Sequence, residues 1–160
     1  MVTQRLPALT QHIGGASLAS DAPELKIMAA VMLAGMVPPL AMALATVVRP
    51  ALFTPAEREN GKAAWLLGAS FISEGAIPFA AADPLRVIPS IVLGSAVTGG
   101  LAEALDVSLR APHGGVFVLF AVDGVLGFFV ALLAGVVVAA AAVVVLKSVG
   151  GRTPAAAPVR

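Results

Sequence analysis

The sequence contains no cysteine and few charged residues. None of its 160 residues is cysteine, and charged residues make up 12% of the chain. The absence of cysteine excludes disulfides, thiolate metal sites and a phosphocysteine within this chain. The only two histidines, His12 and His113, are far apart and form no recognisable ligand pattern. We therefore expect neither a metal nor another cofactor.

The scarcity of charge also decides the class of protein. About a quarter of the residues of an ordinary soluble domain are charged, whereas this chain is 59% hydrophobic and has a mean hydropathy of +0.97. These values predict an all-α integral membrane protein in contact with the lipid bilayer. The net charge of +1 gives no basis for binding nucleic acid.

Residues 1–25 lack the apolar run of a secretory signal peptide. They contain scattered proline, glycine and polar residues, and we predict that they form a poorly ordered lead-in. Asp21 with Glu24 resembles a capping box, which predicts the start of the first helix.

Two long segments contain no charge, residues 27–48 and 125–146. Each is long enough to cross a membrane, because a spanning helix needs about 20 apolar residues. Pro38 and Pro39 lie in the first and should kink it, which would leave carbonyls near Gly35 without their usual partners. Two alternatives remain for this segment: a kinked span, or a discontinuous helix that lines a cavity.

Basic residues follow the second of these segments. Lys147 and Arg152 come directly after it. Basic residues beside a span favour the cytoplasmic side, so we predict that the C-terminus and the tail, residues 151–160, are cytoplasmic.

Between the two spans, one helix has a strong start signal. Thr54 can cap, Pro55 suits the first helical position, and Glu57 completes a capping box. The helix should end near Ser73. It contains Trp65, which suits either a membrane interface or plain packing.

The next stretch, residues 71–84, interrupts the apolar sequence with a carboxylate, a glycine and a proline. Gly75 allows the backbone to turn and Pro78 disfavours a straight helix. Non-helical backbone survives at membrane depth only where protein or a water-filled cavity satisfies it. Glu74 lies at this break, which makes it a candidate functional residue.

Asp83 and Pro84 then predict the start of another helix, which should run to about Leu105. Asp83 is either its cap or a ligand. The helix carries small residues that favour close helix contact, namely Gly94, Ser95, Thr98, Gly99 and Gly100.

A second break, residues 109–115, contains Arg110 and His113 beside a proline and two glycines. A charge at the middle of a bilayer costs about 2.5–3.5 kcal/mol on insertion scales and needs a cavity or a partner. Pairing of Glu74 with Arg86 or Arg110 would provide that partner. Interrupted segments with ionisable groups between two spans are typical of transporter substrate sites.

Three segments carry a family resemblance: residues 32–46, with Gly35-Met-Val-Pro-Pro-Leu40; residues 73–89, with Ser73-Glu-Gly-Ala-Ile-Pro-Phe79; and residues 109–115, Leu-Arg-Ala-Pro-His-Gly-Gly. Together they resemble the membrane component IIC of the bacterial fructose phosphotransferase system over residues 26–150. The resemblance implies kinked transmembrane helices with re-entrant or broken segments.

The resemblance also implies a function. A IIC component is an inner-membrane permease that passes its sugar to a phosphocysteine on component IIB, which here would yield fructose 1-phosphate. Its wider superfamily works as homodimers by alternating access. Glu74 matches the sugar-binding glutamate. Arg110 and His113 either stabilise phosphate charge or hold a turn, and Asp83 and Arg86 are weaker candidate contacts.

The chain departs from the family in two respects. A full IIC component is longer, and residues 1–25 lack the Gly-Gly-Pro-Val-Asn-Lys-like motif that precedes the segment matching Ile27. The resemblance therefore implies the C-terminal half, from a truncated or split gene. Two functions follow as alternatives: a partial permease of the transport system, or a membrane remnant or interaction protein without transport activity.

Overall fold

The computed structural model describes residues 23–111 and 114–149. Several predictions therefore fall outside the described residues: the lead-in before Pro23 with Asp21, both histidines, and the tail with Arg152. The long elements are all helices, as the composition predicted. In chain order they are α1 (Pro23–Val48), α2 (Pro55–Ala69), α3 (Ile77–Ala82), α4 (Pro84–Ala104) and α5 (Val125–Val149).

Shorter elements connect these helices. Three 3-10 helices cover Pro50–Leu52, Ser73–Ala76 and Gly115–Ala121. Two short strands, β1 (Ser108–Leu109) and β2 (Val122–Asp123), pair in antiparallel register, with Ser108 opposite Asp123 and Leu109 opposite Val122. No pattern in the sequence predicted this strand pair.

Three of the described helices, α1, α4 and α5, are long and apolar enough to cross a membrane. Two were predicted as clear spans, and α4 is the third. Helix α1 is continuous across Pro38 and Pro39, so the discontinuous alternative for this segment is not the one observed. The prediction of an all-α membrane protein is confirmed.

The three long helices pack as an antiparallel bundle through small residues. The hydroxyl of Thr98 on α4 donates to the carbonyl of Ala131 on α5 at 3.0 Å. A Cβ on Gly94 would lie 2.5 Å from both the Cβ of Ala139 and the carbonyl oxygen of Gly135. The predicted small-residue face is thus used for close contact at Gly94 and Thr98. Gly100, by contrast, has no such neighbour within 4 Å.

Helix α2 begins as its sequence predicted. The hydroxyl of Thr54 accepts from the backbone N–H of Glu57 at 3.2 Å, and the Glu57 carboxylate accepts from the N–H of Thr54 at 2.7 Å. The capping box is therefore complete. The helix ends at Ala69, four residues before the predicted end near Ser73.

Candidate functional site

The segment from α2 to α3 forms a re-entrant hairpin, residues 55–83, which we call the first hairpin. Helix α2 runs back along α1: Gly61 lies against Thr46, near the C-terminal end of α1, and Gly68 lies against Leu40. The chain then turns, and α3 brings it back until Asp83 is 3.8 Å from Lys147 in the last turn of α5. The first arm of the hairpin, α2, therefore begins at the same end of the bundle at which the second arm, α3, ends.

The turn at the tip of the first hairpin occurs earlier than predicted. Phe71 has a φ of +64°, in the left-handed region that bulky residues rarely adopt. The N–H of Phe71 donates to the carbonyl of Gly68, and that of Ile72 donates to Leu67 at 2.8 Å. This is a Schellman helix end with phenylalanine in the position usually taken by glycine.

The expectation that Gly75 makes this turn was wrong, because its φ is not positive. Gly75 instead allows close packing. A Cβ there would lie 3.1 Å from the side chains of both Leu67 and Pro39. Pro78 does not break a helix either; it occupies the first turn of α3, where a missing N–H costs little.

The proline pair of α1 attaches two other segments to this helix. Pro38 and Pro39 have no N–H to donate to the carbonyls of Ala34 and Gly35, four residues earlier. The hydroxyl of Ser95 on α4 donates to Ala34 at 2.8 Å, and that of Ser73 donates to Gly35 at 2.9 Å. The predicted free carbonyls therefore exist, and serines satisfy them.

Glu74 lies between the two residues that hold the tip of the first hairpin against α1. Ser73 on one side is bonded to Gly35, and Gly75 on the other is buried against Pro39. The Glu74 side chain is exposed and forms no hydrogen bond or ion pair with any residue that the structure describes. A carboxylate is thus held level with the middle of a spanning helix, with its oxygens available.

The second break forms another hairpin, of which residues 108–111 and 114–123 are described, and it enters from the opposite end of the bundle. It begins just after Asp106, whose carboxylate binds Lys26 in the first turn of α1 at 2.7 Å. It reaches the tip of the first hairpin at Gly115, where a Cβ would overlap the carbonyl oxygen of Ala69 and lie 2.9 Å from the nitrogen of Phe71. The structure thus brings the two predicted breaks together.

The expected pairing of Glu74 with an arginine was wrong for both candidates. Arg110 binds Asp123 at 3.1 Å across the base of the second hairpin. Arg86 binds Asp83 at 3.0 Å. Arg110 was expected either to stabilise phosphate charge or to hold a turn, and its contact with Asp123 supports the second role. His113, the other candidate for phosphate charge, is not among the described residues.

Asp83 occupies the position before α4 but does not cap it. Its side chain makes no capping hydrogen bond. It faces Arg86 and Lys147 instead, because two cations neutralise its charge whereas the backbone N–H of a cap is an uncharged donor. The capping interpretation was therefore wrong; the start of the helix at Pro84 was right.

Sequence reasoning missed the partner of Asp83. Lys147 also approaches Glu57 at 3.4 Å, and both side chains are less than 10% exposed. The signal available was weak: a lysine that ends an uncharged span and an acidic residue in a capping box, 90 positions apart. Within residues 23–111 and 114–149, no cluster of three or more acidic or histidine side chains could hold a metal ion.

Comparison with known proteins confirms the predicted resemblance. The chain is 58% identical over 111 residues to the "PTS system fructose-specific EIIB'BC component" of Escherichia coli (strain K12). The matched region covers 68% of this chain and 20% of that protein. It is 67% identical over 92 residues to the component of the same name from Rhodobacter capsulatus, covering 58% of this chain and 16% of the relative.

A shorter relative is the "Fructose permease IIC component" of Bacillus amyloliquefaciens, which is 49% identical over 119 residues, 74% of this chain and 39% of the permease. The chain thus spans about a fifth of the length of the EIIB'BC relatives and about two fifths of this permease. No family profile matches it. No solved structure matches it either.

Proposed function

We propose that this chain, which is similar in sequence to the fructose-specific IIC components, is part of a sugar permease of the phosphotransferase system. In this proposal it contributes the C-terminal half of a IIC component in the bacterial inner membrane. The complete permease transports fructose and passes it to phosphorylated component IIB. The observation that carries the proposal is the exposed Glu74 carboxylate at the tip of the first hairpin.

Glu74 is the proposed sugar ligand. An ionised carboxylate accepts hydrogen bonds from two sugar hydroxyls, and such charge-assisted bonds are about twice as strong as neutral ones. The bond from Ser73 to Gly35 and the packing of Gly75 on Pro39 support this role, because they hold the backbone on both sides of the carboxylate. A ligand site requires such preorganisation.

The phosphoryl donor lies outside this chain, which has no cysteine. The chain therefore contributes sugar positioning to the transfer, in which positioning and electrostatics matter more than proton abstraction. The contact of Gly115 with the tip of the first hairpin supports a shared site for both breaks. In this proposal His113 is the candidate contact to the transferred phosphate, Arg110 holds the base of the second hairpin through Asp123, and the complete permease is a homodimer.

The test is phosphoenolpyruvate-dependent fructose uptake in cells that lack their own permease. The chain is expressed alone, or together with the N-terminal half of a fructose-specific IIC component. We expect uptake only from the pair, because the chain spans a minor part of its relatives. No uptake from either, at normal membrane levels, would favour the alternative, a membrane protein without transport activity.

The proposed orientation places the C-terminus in the cytoplasm. Among the described residues, five basic ones lie at the end of the bundle where α5 ends, whereas Lys26 and Arg110 lie at the other end. The five are Arg49, Arg58, Lys62, Arg86 and Lys147. This asymmetry agrees with the positive-inside rule. A reporter fused after Arg160 should therefore read as cytoplasmic, and a periplasmic signal would contradict the orientation.

A further inference from the structure

A buried network of charges lies at the base of the first hairpin, away from Glu74. The Lys147 ammonium is 3.4 Å from a carboxylate oxygen of Glu57 and 3.8 Å from one of Asp83. Arg86 binds the same oxygen of Asp83, Oδ2, at 3.0 Å. The side chains of Lys147, Glu57 and Asp83 are 9%, 8% and 12% exposed. Two acids and two bases therefore share one largely dry site.

The positions of the two acids connect this network to the first hairpin. Glu57 lies in the first turn of α2, where the first arm begins, and Asp83 lies where the second arm ends. Lys147 is in the last turn of α5. One ammonium on a spanning helix therefore contacts both ends of the segment that carries Glu74.

The three helix ends that meet here favour these charges. Helix N-termini stabilise anions and helix C-termini stabilise cations. Glu57 and Asp83 lie at the N-terminal ends of α2 and α4, and Lys147 lies at the C-terminal end of α5. Each of these three charges thus has the sign that its helix end stabilises, which offsets part of the cost of its burial; Arg86, a cation in the first turn of α4, is stabilised by Asp83 instead.

An aromatic pair completes the surroundings of Lys147. Its ammonium lies 4.7 Å from the centre of the Phe53 ring, within the range of a cation–π contact. Phe53 in turn packs edge-to-face on Phe79 of the second arm, with the ring centres 6.3 Å apart. Lys147 is therefore held by contacts to both arms and to the segment that precedes them.

We propose that Lys147 is the positioning residue of the first hairpin, which joins both of its ends to α5 so that hairpin and helix form one rigid unit. This attachment does not depend on what Glu74 binds. Only the effect of this attachment on sugar binding by Glu74 rests on the proposed function. Without Lys147, Arg86 would still pair with Asp83, but the buried Glu57 carboxylate would lose its ion-pair partner and the two arms would lose their shared contact with α5.

The absence of cysteine allows a direct test on the full chain in lipid nanodiscs. Spin labels on cysteines at Ala56 and Ala81, both exposed, report the separation of the two arms. A second pair at Ala96 and Leu133, also exposed, reports the packing of α4 on α5 away from the network. Double electron–electron resonance gives the distance distribution of each pair.

With Lys147→Met we expect the Ala56–Ala81 distribution to broaden and shift to longer distances, while the Ala96–Leu133 distribution stays as in the parent. Lys147→Arg keeps the charge and should restore the narrow distribution. The matched control is Lys62→Met, which removes an exposed lysine whose partner Glu59 is also exposed. It should change neither pair.

A milder variant covers the case in which Lys147→Met does not fold. Asp83→Asn removes the charge that attaches the second arm and leaves the contact between Lys147 and Glu57, so it should shift the first pair less. An unchanged Ala56–Ala81 distribution in both variants would overturn the proposal. Equal broadening of both label pairs would overturn it too, because Lys147 would then stabilise the whole fold without positioning the hairpin.

Discussion

The tip and the base of the first hairpin hold the same functional group in opposite environments. At the tip, the Glu74 carboxylate is exposed and meets no partner among the described residues. At the base, Glu57 and Asp83 are largely buried and paired with Lys147. A paired carboxylate has its acceptor positions occupied, whereas an unpaired one can accept hydrogen bonds from a ligand. We therefore propose that the base contributes stability and that the tip contributes binding.

The largest effect on stability is expected at the base. Asp83→Leu would leave Arg86 and Lys147 with one carboxylate fewer, and removal of one partner from a buried ion pair costs about 3–5 kcal/mol. Glu74→Leu at the tip should be neutral or stabilising, because it removes a charge that is costly at membrane depth. Thermal unfolding of both variants in detergent measures the difference. Equal destabilisation by the two variants would remove the distinction between base and tip.

A smaller effect is expected where the two hairpins meet. Gly115 has a φ of +58°, and a Cβ there would overlap the backbone of Ala69. Gly115→Ala should therefore destabilise the protein by about 2–4 kcal/mol through overpacking and backbone strain.

Gly100→Ala is the matched control for this substitution. Gly100 lies in α4 with no such neighbour within 4 Å, so alanine should stabilise the helix by about 0.5–1 kcal/mol. The same unfolding midpoints report both variants. If Gly115→Ala were as well tolerated as Gly100→Ala, the close contact between the hairpins would be refuted.

The smallest of these effects concerns one hydrogen bond at the tip. Ser73→Ala leaves the carbonyl of Gly35 without its donor, which should cost about 1–3 kcal/mol because Pro39 cannot replace it. Ser70→Ala removes an exposed hydroxyl bonded to Leu66 within its own helix and should change little. Guanidinium unfolding in detergent compares the two variants. A loss no greater than that of Ser70→Ala would argue against attachment of the tip to α1.

Much of the fold could be predicted because its signals are local. Thr54, Pro55 and Glu57 lie within one turn, and the capping box they predicted is present. The proline pair predicted free carbonyls three or four residues earlier, and both carbonyls depend on serines of other segments. Such rules need only backbone chemistry and residue spacing.

The remainder depends on contacts between distant residues. Asp83 has the sequence context of a cap, yet Lys147, 64 positions later, has its ammonium 3.8 Å from it. The turn was expected at a glycine, but the left-handed residue is Phe71. No local pattern predicts which residues a neighbouring helix or hairpin will bring close, so sequence reasoning correctly located the break at Glu74 and misjudged its partners.

The most direct test of this account is fructose binding by the chain co-expressed with the N-terminal half of a IIC component. Glu74→Gln keeps the shape of the side chain and removes its charge. A hydrogen bond to a charged group contributes about 1.5–3 kcal/mol, so the dissociation constant should rise about tenfold to a hundredfold.

Asp83→Asn loosens the base of the first hairpin only in part, so it should weaken fructose binding less than Glu74→Gln does when folded fractions are compared. Exposed Glu59→Gln should match the parent in both affinity and stability. Our account predicts that Glu74→Gln weakens binding most while its membrane level stays normal. Parental affinity for Glu74→Gln, together with loss of binding in folded Asp83→Asn, would contradict it and move the binding site from the tip to the base.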